Sequence, residues 1–269
     1  MGKNRAMTKP ITEIPTGKTE DRLVIDASRK YYKVLNQEIR LAVSNGARAI
    51  ELRNVNGQRY LADGINTCVK IYVHGTPGNN LGAFAHGAEL YVHGNAQEQL
   101  GNTMNSGKIV LFGNASDVVG YGMRGGKIFI RGDAGYRVGI HMKEYKSSVP
   151  VIIVGGTTGD FLGEYMAGGI LIVLGLTANA GEEFLGDYVG TGMHGGVLYV
   201  RGEPVPAHRL GKEPARVELT EKDNALLAKL LREYSTELGL DYDMIMSRPF
   251  FKYIPQSHRP YGKMYANQP

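Results

Sequence analysis

Glycines recur at a fixed interval in this chain, and that interval limits the fold more than any other feature. Gly75, Gly94, Gly113 and Gly132 are separated by 19, 19 and 19 residues, and the series continues with insertions at Gly155, Gly175 and Gly202. Of the 37 glycines, 29 lie from Gly75 to Gly202, without collagen's proline content or three-residue period. They therefore mark one kind of turn made repeatedly. Two residues before each glycine of the series stand Val73, Val92, Leu111, Ile130, Ile153, Val173 and Val200, and four before stand Ile71, Leu90, Ile109, Ile128, Val151, Leu171 and Leu198. All are aliphatic. The positions between them are mixed, with Tyr72, Tyr91 and Phe129 three before and His74, His93, Arg131 and Arg201 one before. This is the alternation of a strand with one face buried and the other turned to water or a partner.

A second glycine column, Gly82, Gly101, Gly120, Gly139, Gly163 and Gly190, opens another short segment in each unit. Three residues further on come Ala85, Met104, Met123, Met142, Met166 and Met193, so five of the ten methionines share one column, read as core packing. A further glycine corner, at Gly87, Gly107, Gly125-Gly126, Gly168-Gly169 and Gly195-Gly196, restarts the strand. Units this short cannot hold a core alone and must stack, burying their columns against each other. The fold class is an all-β core, a single-stranded parallel β-helix of about seven rungs. Asn95, Asn114 and Asp133 directly follow glycines of the first series, and rungs ~4.8 Å apart would let them hydrogen-bond up a ladder.

Three regions follow. Residues 1–64 read as an N-terminal arm with a small α/β cap: Asn36 caps a helix with an apolar face of Ile39, Ala42 and Val43, ending at Asn45-Gly46, and a hairpin turns at Asn56-Gly57. Residues 65–203 are the β-helix. Residues 204–269 are a linker with Pro204 and Pro206, a helix capped by Thr220 and Asp223, and a docking tail with Tyr253, Pro255, Pro260, Tyr261 and Tyr265. The helix carries the stripe Leu226, Leu227, Leu230, Leu231, Tyr234 and Leu238.

Composition narrows the function. With 42% hydrophobic and 21% charged residues and a mean hydropathy of -0.23, the chain is neither disordered nor a membrane protein. A net charge of +5 does not imply nucleic-acid binding. The start, Met1 to Pro10, lacks the apolar core of a signal peptide, and one cysteine, Cys68, permits no internal disulfide and cannot by itself hold an iron-sulfur cluster. A reducing, cytoplasmic location is expected. His74 and His93 share a column and are read as stacked surface histidines rather than a metal pair, and His86 and His194 lie at equivalent corners several rungs apart. Cys68 is read as a small buried residue rather than a nucleophile. The run from Gly120 to Gly126 imitates a phosphate loop, but another strand follows it where a nucleotide site needs a helix. Asp117, Asp133, Asp160, Glu164 and Asp187 stand at corners, where solvated carboxylates are preferred to an acid and base pair acting on a polysaccharide. No catalytic, cofactor-binding or metal-binding residue is assigned.

The strings Gly94-Asn-Ala-Gln-Glu-Gln-Leu-Gly101, Gly113-Asn-Ala-Ser-Asp-Val-Val-Gly120 with Met123-Arg-Gly-Gly126, and Gly186-Asp-Tyr-Val-Gly-Thr-Gly-Met-His-Gly-Gly196 resemble the GXGXG domain. That domain forms the C-terminal part of the large (alpha) subunit of glutamate synthase and, in a related form, one of the subunits of formylmethanofuran dehydrogenase. Gly78-Asn-Asn-Leu-Gly-Ala-Phe84, Gly163-Glu-Tyr-Met-Ala-Gly-Gly169 and Ala215-Arg-Val-Glu-Leu-Thr favour the glutamate synthase branch, over roughly residues 36 to 238. The resemblance implies a right-handed β-helix that holds a glutaminase and an FMN synthase together and does no chemistry itself. Unlike the fused enzyme, the chain begins Met1-Gly2 without a cysteine nucleophile and has no FMN-barrel region. The expectation is a stand-alone scaffold subunit of a split glutamate synthase-like complex. Its partners would be a class II amidotransferase (glutaminase) subunit and a synthase subunit carrying FMN and the iron-sulfur cluster, with neither nucleic acid nor membrane insertion. The alternatives are the GXGXG-bearing subunit of a formylmethanofuran dehydrogenase or formyltransferase/hydrolase-type complex, a subunit of N-methylglutamate synthase, or an independent β-helix enzyme.

Overall fold

A computed structural model describes residues 22–179 and 181–257. The N-terminal arm up to residue 21, and Pro260, Tyr261 and Tyr265 of the expected tail, lie outside the described residues. One sheet of eleven strands organises the chain. Its parallel part comprises β1 (Leu23–Asp26), β2 (Ala49–Asn56), β3 (Lys70–Thr76), β4 (His86–His93), β5 (Ser106–Leu111), β6 (Lys127–Ile130), β7 (Val151–Val154), β8 (Ala167–Val173) and β9 (Gly195–Arg201), in chain order. From β3 to β9 seven strands enclose six turns of a coil, each turn contributing one regular strand. The chain is an all-β parallel solenoid.

The aliphatic columns face inward as the alternation requires. Ile71, Leu90, Ile109 and Ile128 are in register across β3 to β6, as are Val73, Val92, Leu111 and Ile130, and all are buried. In β7 the register differs from the sequence reading by one residue: Ile152 and Val154 continue the columns, not Val151 and Ile153. The position-zero glycine of that rung is therefore Gly156. All of Val151–Val154 is buried, so alternation could not distinguish the two faces there. Met104, Met123, Met142, Met166 and Met193 are at most 1% exposed and belong to the same core. The glycine column beside them has φ between +67° and +73°, with Leu, Ile or Pro side chains where an added Cβ would point. Only glycine suits that combination.

The outward face is also mostly buried. Helix α2 (Glu221–Leu238) places Leu227, Leu230, Leu231, Tyr234 and Leu238 against Val110, Phe129, Ile153, Ile172 and Tyr199. At its start, the Thr220–Asp223 capping box meets β9 through Tyr199, whose hydroxyl donates to Asp223 Oδ1 at 2.5 Å. Tyr234 donates to the Ile130 carbonyl at 2.9 Å, Glu233 pairs with Lys127, and Glu237 pairs with Lys108 on β5. From position 223 to 237 a helix rises roughly 21 Å, close to the roughly 19 Å spanned by four strand spacings from β9 to β5. The partner expected for this face is thus largely the chain's own helix.

Three features of the flanks differ from expectation. Helix α1 (Tyr32–Ser44) starts earlier than Asn36; its N-cap is Tyr31, and Asn36 sits inside it, donating to the carbonyls of Tyr32 and Arg59. The helix buries Leu35, Ile39 and Ala42 and ends at Asn45 as read. The hairpin at Asn56-Gly57 is not formed: β2 pairs parallel with both β1 and β3, because its apolar residues Ile50 and Leu52 continue the inner columns. After β10 (Pro214–Val217), α2 and α3 (Tyr242–Met246), β11 (Phe250–Pro255) inserts antiparallel between β9 and β10. Tyr253 and Pro255 are therefore sheet residues rather than part of a tail. Tyr253 is 1% exposed, and its hydroxyl accepts from Val205 N at 2.7 Å. Among the described residues no helix is long and apolar enough to cross a membrane.

Candidate functional site

The polar and aromatic side chains at the faces and corners of the coil fall into three groups, and two of them serve the coil itself. His74 and His93, adjacent on β3 and β4, stack face to face with centroids 5.0 Å apart, and Phe112 extends the stack at 4.5 Å. Burial, reinforced by His74 and Arg22, pushes the His93 imidazole below its ordinary pKa. Among the described residues no group of three His, Cys, Asp or Glu side chains could hold a metal ion. His86 is exposed at the start of β4, whereas His194, just before β9, has Nδ1 3.1 Å from the Gly192 carbonyl; the two are not brought together. Cys68 is exposed, not buried as expected, because it lies in the connection before β3 rather than in an inward column.

The corner polar residues form the expected ladder in a form the sequence did not specify. Asn95 Oδ1 accepts from Asn114 N at 2.9 Å, Asn114 Oδ1 from Asp133 N at 2.9 Å, and Asp133 Oδ1 from Thr157 N at 2.7 Å. Side-chain oxygens thus bind the backbone of the next rung rather than one another. The glycines opposite make room: an added Cβ on Gly132 would lie 1.9 Å from Asn114 Oδ1, and on Gly156 2.0 Å from Asp133 Oδ1. Asp117 likewise accepts from Tyr136 N and Asp160 from Asp187 N, while Glu164 pairs with Arg137 and Asp187 lies 3.7 Å from Arg209. Each of these five acids thus has a partner within the coil or its flank. In the run Gly120–Gly126, the N–H groups of Gly120, Gly122 and Arg124 donate to carbonyls of neighbouring rungs and are not available to cradle a phosphate.

The third group was not read from the sequence. Two residues before and two after each glycine of the Gly82 column, the backbone again has positive φ: at Asn80, Gln99, Val118, Arg137, Phe161 and Tyr188 before, and at Phe84, Thr103, Gly122, His141, Tyr165 and Gly192 after, so that aromatic rings occupy only some of these places. A left-handed conformation costs a side chain-bearing residue about 1–2 kcal/mol, and glycine fills the equivalent places at Gly122 and Gly192. The aromatic side chains do not recover that cost by burial: Phe84 is 53%, Tyr165 36% and Tyr188 55% exposed, and Tyr121 and Tyr136 beside them 41% and 50%. They partly cover one another, with His141 stacked on Tyr165 at 5.3 Å, Phe161 on Tyr188 at 4.9 Å, and the Arg137 guanidinium 4.7 Å over Phe161. The turns of the solenoid therefore carry exposed aromatic side chains, several of them on the left-handed positions that every turn uses. The only sequence signal was aromatic residues replacing glycine at fixed offsets from the column.

Comparison with known proteins agrees with this geometry. A family model described as the GXGXG motif matches residues 20–256. An uncharacterized protein of Methanocaldococcus jannaschii is 43% identical over 254 residues, covering 91% of this chain and 97% of that protein. The match spans the strands, the glycine corners, α2 and β11 alike, so the C-terminal elements fall within the matched region together with the coil. The glycine columns that form the turns, the stacked rungs they permit and the extent of the match show that this chain belongs to the GXGXG motif family.

Proposed function

We propose that the chain is a non-catalytic scaffold subunit of a split glutamate synthase-like complex in the cytoplasm. In this reading it holds a separate glutaminase subunit and a separate synthase subunit carrying FMN and an iron-sulfur cluster, which together transfer ammonia from glutamine to 2-oxoglutarate. The observation that carries the reading is the aromatic edge: exposed rings grouped at the turns gain by burial against a partner. Family membership supports it, since GXGXG domains occur in glutamate synthase. The corner carboxylates support it as well, because Asp117, Asp133, Asp160 and Glu164 are already bonded to the coil. So does the single cysteine, which leaves any cluster to a partner's thiolates.

Purification of the tagged protein from its native cells under anaerobic conditions tests the proposal. Flavin and iron-sulfur absorbance co-purifying with a glutaminase-like chain is the expected result. A molybdopterin or tungsten partner would move the subunit to the formyl-handling branch, and a colourless protein without partners would refute the scaffold role.

A further inference from the structure

At the end of the coil, beyond β9, lies a cavity of about 480 Å³, within the range of roughly 300–1,000 Å³ usual for small-molecule sites. Its walls include the apolar side chains Leu174, Phe184, Val200, Val205 and Met244. Two guanidinium groups, Arg201 and Arg248, also line it. Arg201 is only 7% exposed. Its Nε donates to the Ile245 carbonyl at 2.6 Å and its Nη2 to the Met244 carbonyl at 2.9 Å, while Nη1 has no hydrogen-bond partner among the described residues.

The charge of Arg201 is not balanced by an acid. Among the described residues no carboxylate lies within salt-bridge distance of either Arg201 or Arg248. Three acids also line the cavity: Glu183 is paired with Arg209, and Glu182 accepts from Asn179. Glu203 is exposed and makes no ion pair with either arginine. Arg248 adds a like charge: its Nη1 lies 3.9 Å from where a Cβ on Gly202, the neighbour of Arg201, would stand. Burial, and then Arg248, push the Arg201 pKa below its ordinary value. A buried cation beside a second cation, compensated only by carbonyl dipoles, is unfavourable until an anion joins it.

We propose that this cavity binds a small organic carboxylate, with the carboxylate between Arg201 and Arg248 and its carbon body against Leu174, Phe184 and Val205. With Nε and Nη2 of Arg201 already bonded, its Nη1 and the Arg248 guanidinium would supply the donors to the carboxylate, and the apolar walls favour an anion with hydrocarbon attached over a bare inorganic one. The site lies on this chain alone and does not rest on the scaffold reading.

The test uses the full isolated chain, with hexanoate as the probe, followed by isothermal titration and amide chemical shifts. Hexanoate should bind saturably, with hexanamide and inorganic phosphate each weaker by about tenfold or more, since one lacks the charge and the other the apolar body. Arg248→Gln, at an exposed position, should fold normally by circular dichroism and weaken hexanoate binding about tenfold. Arg201→Met also removes the contacts to α3, so Arg248→Gln is the decisive variant. Absence of saturable binding at millimolar hexanoate, equal affinity for the amide, or an unchanged affinity in Arg248→Gln would overturn the proposal.

Discussion

Two glycines with nearly the same backbone separate the cost of a left-handed turn from the cost of crowding the coil. Gly64 has φ +61° and Gly101 φ +67°. A Cβ on Gly64 would meet nothing within 4 Å, whereas one on Gly101 would stand 2.5 Å from Ile128 Cδ1 and 3.4 Å from Ile109 Cδ1. Gly64→Ala should therefore cost only the conformational penalty, about 1–2 kcal/mol. Gly101→Ala adds overpacking of the core, about 1–3 kcal/mol, for a total of about 2–5 kcal/mol. The entropy that alanine removes from the unfolded chain is common to both variants and cancels in their difference. At roughly 2–4 °C per kcal/mol, Gly101→Ala should melt about 2–12 °C below Gly64→Ala. Ile128→Val removes the Cδ1 methyl that the new Cβ would strike. Alone it should destabilise by about 0.5–1.5 kcal/mol, but in the Gly101→Ala background it should relieve the clash, a coupling of about 1–3 kcal/mol. Thermal and urea unfolding of Gly64→Ala and of the four proteins of the cycle, followed by circular dichroism, measures these terms. Equal losses for the two glycine variants, or no coupling with Ile128→Val, would refute the claim that this column faces the core.

Met123→Asp places a charge in the methionine stack and should abolish cooperative unfolding; a folded variant would show that the column is not core. At Asp223 burial favours the neutral acid, but Lys252, Thr220 and Tyr199 outweigh it and hold the carboxyl well below the usual range. Its contribution to stability is therefore full above an ordinary carboxylate pKa of about 4 and is lost as pH falls toward the folded value. Asp223→Asn should lower stability at pH 7 and flatten the fall in urea midpoint between neutral and acid pH; an unchanged acid slope would contradict this. Removing residues 240–269 should lower the melting temperature sharply, because α3 and β11 leave with them, and a melting curve like that of the full chain would disprove their role in the sheet. Tyr165→Gly and Phe84→Gly should not destabilise the isolated chain, because relief of the left-handed backbone offsets glycine's greater unfolded-state entropy, and should reduce recovery of partner chains; undiminished recovery would remove the aromatic edge from the interface.

The sequence by itself determined the coil. Gly75 to Gly132 repeat at constant spacing, Ile71 and Val73 recur two residues apart in every unit, and Met104, Met123 and Met142 keep step with them. In a stacked structure equal spacing means equal position, so the inward columns and the Asn95–Asn114–Asp133 ladder are legible from spacing alone. Tertiary structure alone decided what lies outside the coil. The β7 register is not legible because Val151–Val154 is apolar on both faces, and both faces are buried only because α2 crosses the outer one. The hairpin and the tail depart from the sequence reading for a similar reason: Asn56-Gly57 and the aromatic residues after Pro249 are local signals, overridden when β2 and β11 complete ladders with strands remote in sequence. The aromatic edge lies at offsets whose positive φ glycine marks only at Gly122 and Gly192, so the exposure of Phe84, Tyr165 and Tyr188 is not legible from the aliphatic alternation. Periodicity records which side chains face a shared core; it carries no information on backbone handedness or on the element that covers the remaining face, since both are set by packing across the whole coil.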